Sequence, residues 1–183
     1  MRLERASTAL VIIDVQEKLM PVIDRREAVE LNISRLVSGA HLLGIPILVT
    51  EQYVKGLGAT VSPVRETLEN AGGYRPIEKD CFSAHGCAPF RSELEMLNRR
   101  QVVVAGIETH VCVYQTVTDL LKGGYDVTIV ADAVSSRTAE NREIALRRVV
   151  SEGARLSSTE MTLFELVGTS GTDEFRAISK LIR

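Results

Sequence analysis

The chain has 183 residues, of which 45% are hydrophobic and 25% charged, and its formal net charge is -2. That is the make-up of a globular protein able to bury roughly 70% of its extended-chain surface, so one domain over residues 1–183 is expected. Lysine and arginine are spread along the chain rather than gathered, which argues against a nucleic-acid or anionic-membrane partner.

The opening stretch "MRLERASTALVIID" holds a short apolar run that ends at Asp14, too short for a secretory core or a membrane span. A cytoplasmic location is expected. Three cysteines, an odd number, are then expected as thiols rather than as a disulfide framework. Cys81 and Cys87 flank His85 in "CFSAHGC" at a spacing unusual for zinc, and they are read as structural.

Short aliphatic runs at 9–13, 45–49, 76–79, 102–105, 127–130 and 154–156 alternate with helical patterns at 28–43, 63–71, 90–97, 111–122, 139–151 and 175–182. This alternation predicts an α/β protein, a parallel sheet covered by helices on both faces. Between the second strand and the next helix, "VKGLGATVSP" has neither phosphate-loop nor dinucleotide spacing. It reads as a mobile loop at a pocket rim.

The segment "VVVAGIETHVCVYQTVTDLLKGGYD" runs aliphatic, breaks at Gly106 and resumes with Val113, Val117, Leu120 and Leu121 at helical spacing. Thr109 is a plausible N-cap, and Gly123 with Gly124 supplies the stop. Cys112 therefore falls in the first helical turn, where unpaired N–H groups and the helix dipole favour a thiolate.

In an open parallel sheet, ligands bind beyond the C-terminal strand ends. Asp14 ends the first strand, Lys79 ends the third and Cys112 follows the fourth. Together they make a carboxylate that can take a proton, an ammonium that can hold it, and a thiol that can attack carbon. Singly, each has a plainer reading: Asp14 and Glu17 as a capping pair, Lys79 as a solvated charge, Cys112 as a core side chain. Their coincidence at one face of the sheet favours chemistry. Glu51, Gln52 and Tyr53 leave the second strand at that face, and Glu108 and Tyr114 lie near Cys112, so all are pocket candidates or solvated loop residues.

The segments "ALVIIDVQEKL", "EKDCFSAH" and "VVVAGIETHVCVYQTVTDLL", in that order, resemble the signatures of the isochorismatase-like cysteine hydrolase superfamily. "TEQYVKGLGATV" is similar to the subgroup of isochorismatase domain-containing proteins. The resemblance implies a three-layer, Rossmann-like fold with six parallel strands and a triad of Asp14, Lys79 and Cys112. It also implies a cis peptide between Ile107 and Glu108, and an oxyanion hole from the backbone N–H groups of Glu108 and Cys112. Isochorismatase itself has no cysteine at this position and cleaves a vinyl ether, so Cys112 favours acyl transfer. Nicotinamidases carry an Asp-x-His pair and a further histidine after the second strand; "TEQYVKG" has none, so no metal and no cofactor is expected. The expected activity is hydrolysis of a small amide or related carbonyl compound through a Cys112 thioester, in a homo-oligomer. The alternatives are a scaffold module of the same fold with little turnover, and a non-covalent vinyl ether hydrolase.

Overall fold

The computed structural model describes residues 2–183. Its strands are β1 (Thr8–Ile13), β2 (Ile47–Gln52), β3 (Ile77–Lys79), β4 (Gln101–Ile107), β5 (Asp126–Ser135) and β6 (Arg155–Ser157). They form one parallel sheet in the order β3-β2-β1-β4-β5-β6. The helices are α1 (Arg26–Leu42), a single turn α2 (Val54–Leu57), α3 (Ser62–Asn70), α4 (Ala88–Met96), α5 (Tyr114–Lys122), α6 (Ala139–Ser151), α7 (Thr159–Val167) and α8 (Asp173–Ile182).

The period-2 alternation of the strands sorts their side chains into two cores. Leu10 and Ile12 of β1 pack with Ile33, Leu36 and Val37 of α1, Leu163 of α7 and Ile178 of α8. Ala9, Val11 and Ile13 pack with Phe90 and Leu94 of α4, Val117 and Leu120 of α5, and Leu146 and Val149 of α6. Both faces are thus covered, and the fold is the three-layer α/β arrangement that the sequence predicts. Strand order reverses at β1, whose neighbours are β2 and β4. The crevice at such a switch point is where this architecture binds ligands, and Asp14 stands at its edge.

The sequence reading misses α7, and it makes β5 too short. The extra length of β5 follows a register shift opposite Val104 and Gly106, which carries Val134 and Ser135 up beside Gly106 and Ile107. The 53–61 loop, expected to be mobile, is tied to the segment after β1. Gln16 Nε2 donates to Gly58 O at 2.6 Å, Glu17 N to Ala59 O at 3.0 Å and Lys18 N to Leu57 O at 3.0 Å. Three backbone or amide bonds to the segment after β1 hold it down.

Gly106 shows why the sequence breaks where it does. Its φ is +129°, and a Cβ placed there would stand 2.2 Å from the Ile13 carbonyl oxygen. No side chain fits between β4 and β1 at the residue before Asp14. Gly106→Ala is expected to destabilise the protein by about 3 kcal/mol through overpacking and a strained φ, measured as the shift of a urea unfolding midpoint. An unchanged midpoint would contradict this reading of the break.

Candidate active site

Asp14 is the residue directly after β1 and is wholly buried. Its φ of 51° lies in the left-handed region, which a short polar residue tolerates better than a branched one. The chain turns sharply there, with Gln16 N donating to Asp14 O at 2.8 Å. The carboxylate is bound on both oxygens. Thr50 Oγ1 donates to Oδ1 at 2.7 Å, and Lys79 Nζ donates to Oδ2 at 2.6 Å.

The Lys79 side chain is also fully buried. Beyond Asp14 it donates to Gln52 Oε1 at 2.7 Å, Phe82 O at 3.0 Å and Cys81 O at 3.2 Å. A buried ammonium needs this many acceptors, because water no longer supplies them. Gln52 is fixed in turn: its Nε2 donates to Asp80 O at 2.7 Å, and its backbone N–H donates to Gln16 Oε1 at 2.7 Å. Gln16 closes the frame through Nε2 to Gln52 O at 2.9 Å. Thus the exits of β1, β2 and β3 are locked together around one ion pair.

Cys112 completes the group, though not as the sequence suggests. It sits in a π-helical turn, Thr109–Val113, that precedes α5. Glu108, not Thr109, occupies the N-cap position, and no side chain caps the turn. The Thr109 hydroxyl is buried without a hydrogen-bond partner among the described residues. The Ile107–Glu108 peptide is cis. Burial pushes the Cys112 thiol well above its ordinary value, the Asp14 charge pushes it further, and Lys79 pulls the other way. Burial and the Asp14 charge thus favour the thiol over the thiolate.

A consequence follows for stability. An acid whose folded pKa is raised contributes stability that is present below the unfolded pKa, about 8.5 for cysteine, and is lost as pH rises. The wild type should therefore lose stability above about pH 8.5 by a margin that Cys112→Ala removes. Paired unfolding curves at neutral and alkaline pH measure this; equal alkaline losses in the two proteins would contradict it.

Of the other pocket candidates, Gln52 belongs to the frame. Glu51 points to the opposite face, where its carboxylate accepts from Thr60 N at 2.6 Å, Thr60 Oγ1 at 2.8 Å and the Tyr74 hydroxyl. It anchors the 53–61 loop and does not face the sulfur. Tyr53 is 57% exposed and borders a cavity of about 310 Å³ with Val54, Lys55, Glu78, Lys79 and Asp80. Tyr114 is turned to α6: its hydroxyl donates to Glu152 at 2.7 Å, and Arg148 lies 4.4 Å over its ring. Glu108 is paired with Arg137, at 2.7 Å from Nε to Oε1. Sequence reasoning overlooks Thr50, Gln16 and Arg137. Thr50 and Gln16 have a weak signal, as polar residues at strand exits; Arg137 has none.

Among the described residues no three or more His, Cys, Asp and Glu side chains are grouped so as to hold a metal ion. No helix among them is long and apolar enough to cross a membrane.

The isochorismatase domain model matches residues 8–161. The chain belongs to the isochorismatase family. It is 42% identical over 183 residues to the secreted isochorismatase effector Isc1 of Phytophthora sojae, covering 100% of this chain and 87% of that protein. It is 38% identical over 178 residues to isochorismatase domain-containing protein 2 of Bos taurus, covering 97% of this chain and 83% of that one. Among solved structures, the MAR1 ribonuclease from Caenorhabditis elegans superposes with a TM-score of 0.92 at 39% identity, covering 100% of this chain and 92% of that chain. The chain thus has an isochorismatase-family hydrolase fold and falls with the isochorismatase domain-containing proteins.

Proposed function

We propose that the protein hydrolyses a small amide or related carbonyl compound through a thioester on Cys112. The observation that carries this is the wholly buried Asp14, held at 2.6 Å by Lys79 at the switch point of the sheet; the pull of its charge on the Cys112 thiol supports it. A buried ion pair is a poor source of stability compared with apolar packing, and its place at the switch point fits a chemical purpose. In the first half-reaction Asp14 takes the thiol proton while sulfur bonds to the carbonyl carbon. The backbone N–H groups of Glu108 and Cys112 receive the oxyanion. Asp14 then gives the proton to the leaving nitrogen as the C–N bond breaks. In the second half Asp14 takes a proton from water, hydroxide attacks the thioester, and the proton returns to the departing sulfur. Lys79 keeps Asp14 charged and oriented through both halves.

Charges at the site cancel in pairs, Asp14 with Lys79 and Glu108 with Arg137, which suits an uncharged substrate. The name of the C. elegans relative raises ribonuclease activity as a second reading. Lys79 and Arg137 are already paired with carboxylates, so neither is free to bind a polyanion. Turnover of a panel of small amides, lost in Cys112→Ala, tests the proposal; RNA cleavage with no amide turned over would replace it.

We also propose a homo-oligomer, since large apolar side chains such as Leu31, Phe82, Met96 and Met161 are more than half exposed. Light scattering at micromolar concentration should give a multiple of 20.1 kDa. A monomer mass would refute it.

A further inference from the structure

β3 is the outer neighbour of β2 and is only three residues long. It runs beside Thr50, Glu51 and Gln52, so no strand lies outside Ile47, Leu48 and Val49. Parity decides which backbone groups this leaves free. On the inner side, Leu10 N donates to Pro46 O at 2.9 Å and Asp14 N donates to Thr50 O at 3.2 Å. Even-numbered residues of β2 therefore turn their hydrogen-bonding groups to β1. On the outer side, Tyr53 N donates to Lys79 O at 3.0 Å, so odd-numbered residues turn outward, and the parallel pattern gives the Val49 C=O to the Ile77 N–H. That leaves the Ile47 N–H, the Ile47 C=O and the Val49 N–H facing outward, with no hydrogen bond to any described residue.

These residues border a cavity of about 400 Å³. The edge is recessed in it, since Val49 is 5% and Leu48 7% exposed. Across the cavity the chain passes from α3 to β3 through Gly72 and Gly73, where an added Cβ would meet no atom within 4 Å. Space beside the strand is thus open. Leu68 and Ala71 line it on the face covered by α1 and α3, the face to which Ile47 and Val49 point. Glu93 of α4 lines it on the opposite face with Leu48, and this carboxylate is in no ion pair among the described residues. His41 of α1 and Arg75, in the chain leading to β3, also border the cavity.

Unpaired N–H and C=O groups in a row at a sheet edge are the template for one more strand. The depth of this edge admits a single extended chain and not the rim of a folded sheet. A second copy offers the same recessed edge and cannot reach in. We propose that the outer edge of β2 at Ile47–Val49 is a docking slot for a short extended peptide, which adds in line with β3. Its apolar side chains would face Leu68 and Ala71, and a basic side chain would face Glu93. The slot is independent of the hydrolase reading, because it uses none of the residues around Asp14.

The test uses the peptide acetyl-Thr-Val-Lys-Val-Thr-amide, which alternates as the slot requires and reads the same in both directions. In the free protein the Ile47 and Val49 amides should exchange with deuterium about 100-fold faster than those of Leu48 and Thr50, which turn to β1. Peptide at about millimolar concentration should shift the NMR signals of Ile47 and Val49 and slow their exchange. Successive residues of a strand turn their N–H groups to opposite edges, so N-methylation at the two valines and N-methylation at the lysine should differ. One should weaken binding by about tenfold and the other should leave it; the pattern that fails gives the direction of the added strand. Glu93→Gln should weaken binding by about threefold. The proposal is overturned by unmoved Ile47 and Val49 signals, by equal affinity of the two methylated peptides, or by unchanged affinity in Glu93→Gln. Slow exchange of Ile47 and Val49 in the protein alone would also overturn it, by putting a second copy on the edge.

Discussion

Lys79→Met is expected to cost about 3–5 kcal/mol of stability, because it leaves a buried carboxylate without its counter-charge. Both side chains are 0% exposed and meet at 2.6 Å, so water cannot replace the lost partner. The same change strips Gln52 Oε1 and the carbonyls of Cys81 and Phe82 of their donor, and turnover should disappear with it. Adding Asp14→Asn to Lys79→Met removes the orphaned charge and should recover part of the stability but none of the activity. Urea unfolding with parallel assays reads both effects. A loss under about 1 kcal/mol would show that the pair is solvated and would contradict the burial on which the account depends.

The second large effect is on rate alone. Cys112→Ala should abolish hydrolysis, a fall of about 10⁴-fold or more, and leave the fold in place because the side chain removed is small. Asp14→Asn should be nearly as damaging, since the amide keeps the shape and cannot take the thiol proton. If the two share one step, the double variant should be little worse than either alone. Additive losses would mean that Asp14 and Cys112 act in separate steps.

Much of the fold is legible because aliphatic runs of strand length alternate with helical periods, and all six runs overlap the observed strands. The triad candidates are legible for the same reason: Asp14 and Lys79 stand where such runs stop. The frame around them is not, because it depends on register. Ile13 lies beside Thr50, and Gln52 beside Lys79; only that pairing brings Thr50 onto the carboxylate and Gln52 onto the ammonium, with Gln16 bracing the Gln52 backbone. Glu51 is a readable error. With Thr50 and Gln52 facing the site, strand alternation sends the residue between them to the other face. The α7 helix carries a signal of its own, since Ser158 caps it through a bond from Met161 N at 3.2 Å, but its apolar residues follow a short strand and blur the boundary. The Cys112 environment reads in the wrong direction, because a helix start suggests a lowered pKa while burial beside Asp14, invisible in sequence, raises it.

Covalent catalysis by Cys112 is tested most directly by quenching the reaction of a small amide in acid and weighing the intact protein and its peptides. The account predicts an acyl adduct on the Cys112 peptide during turnover, which decays when substrate is exhausted and is absent from Cys112→Ala. Sustained turnover by Cys112→Ala, with no adduct on any cysteine, would contradict it.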